Sequence, residues 1–226
     1  MTKSLYMGMK IAIFQHVKRE PTGFLASFFA EQGIPLEYIR LYETNELRET
    51  DATHFIFLGG PMSVNDDPVY PWLAEEKALI RRAVCHHQKV LGVCLGAQLI
   101  ASAFGAKVYP FIRETGWCPV RCEPVKEGAF SQFPDRFTVF QLHGETFEIP
   151  YKGRLLCTGD TVRNQAFAYK TALGLQFHVE LTAPIIQDWC RDLTRFRQEK
   201  ILRETPRYLA ESNRLCRIIG KAFITG

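Results

Sequence analysis

The stretch VLGVCLGAQLIASAFG, residues 90–105, decides how this chain is read. Residues 90–94 form a short apolar run of strand type, and from about Gly96 the apolar positions recur at helical spacing, so a strand feeds a helix with almost no loop between them. Cys94 stands at the corner between Gly92 and Gly96. This is the layout of a nucleophile elbow, in which the reactive side chain sits on a strained turn and residues without a Cβ let the backbone bend. The unpaired N–H groups of the helix start favour thiolate over thiol. The pentapeptide alone leaves open a small buried core cysteine as the alternative.

Working upstream, KIAIFQH (10–16) and PLEYIRLY (35–42) read as strands around a helix from about Thr22 to Gln32 that stops at Gly33. THFIFLGG (53–60) reads as a third strand and PWLAEEKALIRRAVCHH (71–87) as a helix. Short apolar strands alternating with helices predict a parallel sheet covered on both faces. After Gly105 the rhythm changes. KVYPF, GWCPVRC, FTVFQLH, RLLCTG, NQAFAYK and ALGLQFH are short, aromatic or β-branched, and separated by turn residues. They predict antiparallel additions at the sheet edge, with the last strand returning to the main sheet. Residues 183–222 predict helices broken near Thr205-Pro206, with a solvated face as the default for their mixed charges.

The whole chain fits one domain: a leader over 1–9, with Met7 or Met9 as alternative starts, a core over 10–189 and a helical tail over 190–226. Its 226 residues, 46% of them hydrophobic, suffice for a full core. The formal charge of +4 is mild and its basic residues are interleaved with acidic ones, so no nucleic-acid partner is called for. No apolar run approaches the roughly 18 residues of a membrane span, and the start lacks a signal peptide's apolar stretch. Seven cysteines, an odd number without paired spacing, suit a reducing compartment, and the cytoplasm is the expected location.

A thiolate nucleophile needs a base, and the base an orienting group. His178 precedes Glu180 by two in GLQFHVEL, so on an extended backbone both point the same way while Val179 turns into the packing. His86 and His87 diverge by about 100° at a helix end and suit charge complementation there better than zinc. Cys118 and Cys122 lack a second pair, and zinc is left out there as it is for His16 and His54. No metal is assigned.

Taken together, GVCLGAQ, FHVE and FLGGPMSV resemble the class I (triad) glutamine amidotransferases, over about Lys10 to Trp189. The matched signature is Cys94 with Gln98 four residues on, a late His178-x-Glu180, and Gly59-Gly60-Pro61 after a strand. ETGWCPV, LHGETFEIP and NQAFAY are similar to the stand-alone, GMP-synthase-like branch. His-Val-Glu replaces the commoner His-Pro-Glu at a residue facing away from the site. Met62 replaces a glycine of the Gly-Pro-Gly version, which narrows the expected pocket and bears on substrate identity.

The resemblance implies an α/β domain with a flavodoxin-like, mostly parallel sheet flanked by helices, an antiparallel edge extension and C-terminal helices. It implies Cys94 as nucleophile, His178 as base and then acid, and Glu180 as the orienting carboxylate, with a glutamyl thioester as intermediate. The backbone N–H groups of Gly60 and Leu95 would form the oxyanion hole. Gln98 and the Leu142-His143-Gly144-Glu145 loop would bind substrate, with His143 as scaffolding because it lacks an adjacent carboxylate. No cofactor is implied. The expected substrate is glutamine or a γ-glutamyl compound, and ammonia used in synthesis would pass to a separate synthetase subunit, since no phosphate-binding loop follows the triad. The alternatives are a γ-glutamyl peptide or amide hydrolase of the same fold and a catalytically silent regulatory subunit. A redox or glyoxalase-type protein ranks below them, because relatives of that type place histidine beside the cysteine where this chain has Leu95.

Overall fold

The first strand, β1 (Ile11–Gln15), is buried at all five positions, as a strand covered on both faces must be. The computed structural model describes residue 6 and residues 8–225. Ile11 and Ile13 enter one hydrophobic cluster, with Leu25, Phe29, Leu215 and Ile219. Ala12 and Phe14 point the other way, into a cluster with Phe57, Leu73, Ile80 and Leu99. The two clusters are the two faces of one sheet, separated by the period-two alternation of its strands.

The chain continues through α1 (Phe24–Glu31), β2 (Leu36–Arg40), a one-turn α2 (Leu41–Thr44), β3 (His54–Phe57), α3 (Trp72–Cys85), β4 (Lys89–Val93) and α4 (Leu95–Ala103). There follow β5 (Val108–Cys122), β6 (Arg136–Phe147), β7 (Arg154–Gly159), β8 (Asn164–Tyr169), β9 (Ala172–Leu175), α5 (Ala183–Cys190) and α6 (Arg195–Thr225). The sheet order is β2-β1-β3-β4-β9-β8-β7-β5-β6. Strands β2, β1, β3, β4 and β9 are parallel, and the rest extend the sheet antiparallel. The result is a single α/β domain of the expected class, with β9 returning beside β4 as the sequence predicts.

Three local readings change. KVYPF and GWCPVRC belong to one strand, β5, whose register against β6 shifts between Pro110 and Glu114. Pro110 has no N–H to donate, and the irregularity turns Phe111 and Ile112 out to solvent. Second, α6 runs unbroken through Pro206. The ring forfeits its bond to the carbonyl of Leu202, but both residues are exposed, so that carbonyl is open to solvent rather than orphaned in the core. One residue before the proline, the Thr205 hydroxyl donates to the Ile201 carbonyl and accepts the indole N–H of Trp117. Third, the tail is not merely a solvated face. Leu215, Cys216, Ile219 and Phe223 are buried in the main core, and Gly220 lies so close to Phe28 of α1 that a methyl group there would need that ring to move.

Residues 1–5 and Met7 of the expected leader lie outside the described residues. Tyr6 and Met9 are partly buried against the core. Among the described residues no helix is long and apolar enough to cross a membrane.

Candidate active site

In open α/β sheets, clefts form beyond the carboxyl ends of parallel strands. Here the segments leaving β1, β3, β4 and β9 converge at that edge, bringing His16 and Glu20, Gly59-Gly60, Cys94, and His178 together. A cleft of about 480 Å³ opens there, with Cys94, Gln98, Gly60, Glu20 and residues 142–145 among its walls.

Cys94 occupies the turn between β4 and α4 with φ 53° and ψ −106°, a left-handed φ that costs a non-glycine residue energy. Its N–H donates to the Leu175 carbonyl of β9 at 2.7 Å, tying the elbow to the strand that leads to His178. A Cβ on Gly92 would collide with the backbone of Gly96, and one on Gly96 with the carbonyl of Phe57. Both glycines are therefore demanded by close backbone approach. Gly96→Ala is expected to destabilise the fold by about 3 kcal/mol, the upper part of the usual range for overpacking. A urea midpoint unchanged from wild type would show that β3 can retreat.

His178 lies three residues past β9. Its N–H donates to the Phe140 carbonyl at 2.8 Å, and its ring meets Trp189 of α5 edge to face, with centroids 4.9 Å apart. Nδ1–H donates to Glu180 Oε1 at 2.7 Å, fixing tautomer and ring plane. Cys94, His178 and Glu180 are 5%, 1% and 3% exposed, and Val179 between the last two is buried in the core. Burial pushes the imidazole pKa down, but the Glu180 carboxylate and Cys94 outweigh it and hold the ring well above the ordinary histidine value. Nε2 makes no regular hydrogen bond among the described residues and is the ring atom left for the thiol. Glu180 is anchored through its carbonyl, which accepts the N–H of Phe24 at 2.6 Å; Gly23, with φ 56°, passes too close to that carbonyl for any Cβ.

Gly60 and Leu95 lie against each other: a Cβ on Gly60 would stand 2.8 Å from Leu95 Cδ2. Among the described residues neither backbone N–H has an acceptor. Gln98, one turn along α4 from Cys94, donates through Nε2 to the Glu145 carbonyl at 3.4 Å and to Gln176 Oε1 at 3.3 Å. The Leu142 carbonyl faces Cys94 Sγ at 3.7 Å, and Gly144 and Glu145 line the cleft beside it. One expectation is overturned here. His143 does have a carboxylate: Glu114 of β5 sits 3.2 Å from its Nε2, while Nδ1 donates to the Glu145 carbonyl at 3.0 Å. With both ring nitrogens occupied, His143 braces the loop rather than facing Cys94.

Several residues at the cleft escaped the sequence reading. Glu20 packs its carboxyl against Gly59 near the His178 ring, and burial raises its pKa against the lowering pull of His178 and His16. Gln176 Nε2 lies 3.8 Å from Cys94 Sγ. Arg113, exposed at the β5 irregularity, lines the cleft without an ion-pair partner among the described residues. In the same cleft, burial raises the pKa of Glu145, with a Ser63 hydrogen bond lowering it and Asp66 raising it further. The one available signal was position: Glu20 lies in the segment that leaves the carboxyl end of β1, five residues past the strand. Cys122, which lacked a second pair for zinc, instead faces Cys157 of β7 at 3.9 Å between sulfurs.

This arrangement has relatives. Residues 22–184 match the family model for glutamine amidotransferase class-I. A GMP synthase (glutamine-hydrolyzing) of Cytophaga hutchinsonii is 33% identical over 153 residues, which cover 64% of this chain and 28% of that protein. One subunit of a GMP synthase (glutamine-hydrolyzing) of Picrophilus torridus is 30% identical over 134 residues, 58% of this chain and 69% of that one. The chain thus matches less than a third of the longer relative's length. The crystal structure of a glutamine amidotransferase from Thermotoga maritima superposes with a TM-score of 0.88 at 28% identity, over 96% of this chain and 99% of the other. With the matched model spanning well over half of its residues and the fold shared nearly end to end, this chain belongs to the class I glutamine amidotransferase family.

Proposed function

We propose that the protein hydrolyses the side-chain amide of glutamine, or of a related γ-glutamyl compound, through Cys94, His178 and Glu180. The observation that carries this reading is the 2.7 Å bond from His178 Nδ1 to Glu180, which leaves Nε2 free beside a cysteine at a strained elbow. Cys94 Sγ attacks the amide carbon, and its proton resides on His178. As the tetrahedral intermediate collapses, His178 gives that proton to the leaving nitrogen, the C–N bond breaks and ammonia departs, leaving a glutamyl thioester. Water then gives a proton to His178 and attacks the thioester, releasing glutamate and restoring the thiol.

The oxyanion formed in each half-reaction is assigned to the N–H groups of Gly60 and Leu95, each worth roughly 3 to 4 kcal/mol when preorganised. The zwitterionic head of the substrate is assigned to the far end of the cleft, with Arg113 for the carboxylate and Glu145 and Asp66 for the ammonium. Gln98 and the 142–145 loop hold the chain between. This division favours a substrate with free α-amino and α-carboxylate groups over glutamine inside a polypeptide. Transfer of the ammonia to a separate synthetase subunit belongs to this reading, and the Picrophilus relative, itself one subunit of a GMP synthase, favours it. All seven cysteines are free thiols, which favours the cytoplasm.

The test is a panel: free glutamine, γ-glutamyl dipeptides, γ-glutamyl alkylamides and a glutamine-containing peptide, followed by ammonia assay and mass spectrometry. Cleavage of γ-linked substrates and none of the internal glutamine is the expected outcome. Untouched glutamine with a cleaved γ-glutamyl peptide would replace the amidotransferase activity with a peptidase one. Cleavage of none would remove the hydrolase reading.

A further inference from the structure

Behind the Gly59-Gly60 loop lies a further histidine–glutamate pair that the hydrolysis scheme does not use. His16, immediately after β1, and Glu76, on α3, are both fully buried. His16 Nε2 meets the two oxygens of Glu76 at 3.0 and 3.2 Å, and the indole of Trp72 stacks on the ring at 5.4 Å. Nδ1 contacts the Gly59 carbonyl at 2.9 Å. That oxygen can only accept, so Nδ1 carries a proton whichever partner holds the one between the ring and Glu76. A buried pair of this kind adds little net stability over apolar side chains of similar volume, so its presence asks for another explanation.

The Gly59 carbonyl and the Gly60 N–H belong to one trans peptide unit, and in such a unit the two bonds point in opposite directions. Drawing the oxygen back toward His16 turns the N–H outward, to the cleft. With glycine on both sides of that peptide, no Cβ opposes its rotation, and the loop cannot fix the orientation by itself. We propose that His16, held by Glu76 and Trp72, is a positioning residue that locks the Gly59-Gly60 peptide with its N–H directed at the oxyanion site beside Cys94. The lock itself is a statement about the peptide; its effect on rate rests on the hydrolase reading.

The experiment compares His16→Leu, which keeps bulk without a donor, with His16→Asn, whose side-chain N–H can take the place of Nδ1–H. For His16→Leu, kcat is expected to fall about 100-fold, as on losing an oxyanion donor, while KM stays within about twofold because the substrate head is bound elsewhere. Affinity for the aldehyde analogue of glutamine, whose adduct with Cys94 carries an oxyanion, should fall by the same factor as kcat. His16→Asn should recover most of both. Full kcat in His16→Leu, an aldehyde affinity that follows KM instead, or no recovery in a folded His16→Asn would each overturn the proposal. Crystal structures of both variants decide the lock without any turnover: the Gly59 carbonyl should rotate in the leucine variant and hold in the asparagine one, and a carbonyl unmoved in both refutes it. Wild-type protein inert toward every γ-glutamyl substrate would sink the hydrolase reading alone, with the peptide orientation still judged by those structures.

Discussion

Cys94→Ala is expected to abolish ammonia release, with a loss in kcat of about 10⁶, the scale seen when a nucleophile is removed from an intact triad. No neighbour can replace it. Gln176 and the Leu142 carbonyl, which flank the sulfur, offer an amide and an acceptor but no nucleophile. An electrophilic glutamine analogue should label wild-type protein once, at residue 94, and leave the alanine variant unmodified by mass spectrometry. The substitution removes one sulfur from a buried site and relieves none of the positive φ, so the variant should still fold, as circular dichroism can check. Residual turnover within tenfold of wild type would place the chemistry on another residue. Wild-type protein that resists labelling, alone and with candidate partners, would favour the silent regulatory role instead.

Glu180→Gln should lower kcat by about 10⁴ while changing substrate affinity little, since the carboxylate touches only the imidazole among the reacting groups. In the wild type, Glu180 accepts from Nδ1 and so leaves Nε2 to take the thiol proton. An amide nitrogen in the same place donates instead, which drives the ring proton to Nε2 and points it at sulfur. The pH dependence carries a second signature. Burial lowers the His178 pKa and Glu180 is foremost among the groups that raise it again, so removing the charge lets the value fall. The alkaline limb of kcat, where the imidazolium can no longer protonate the leaving nitrogen, should therefore move to lower pH in the variant. A limb that stays in place would show that Glu180 does not set the charge state of the ring.

Much of the parallel half of the sheet was legible because its signals are local. Ile11 to Phe14 and Val90 to Val93 are apolar beyond what a half-exposed strand needs, and Gly92 and Gly96 mark the elbow wherever the rest of the chain goes. His178 and Glu180 could be paired by the two-residue period alone, and the buried Val179 follows from the same geometry. Less legible was Pro206, where sequence rules expect a break. The helix continues because the lost bond falls on its wet side while the opposite side is held by Ile201 and Thr205. Residues 107–122 read as two strands, since the irregularity at Pro110 has the composition of a turn while β6 pairs with both halves.

The sequence by itself determined the layered α/β class, the strained corner at Cys94 and the shared side of His178 and Glu180, because backbone periodicity and glycine's missing Cβ act within a few residues. Only the tertiary structure decided what each group faces. Glu114 beside His143, Glu76 beside His16, Glu20 beside Gly59 and Gln176 beside Cys94 are separated by 29, 60, 39 and 82 positions in the chain. Charged and amide side chains of this kind look like solvated surface when read one after another. Parallel strands bring their carboxyl ends to one edge, and that convergence turns scattered polar residues into the walls of a cleft.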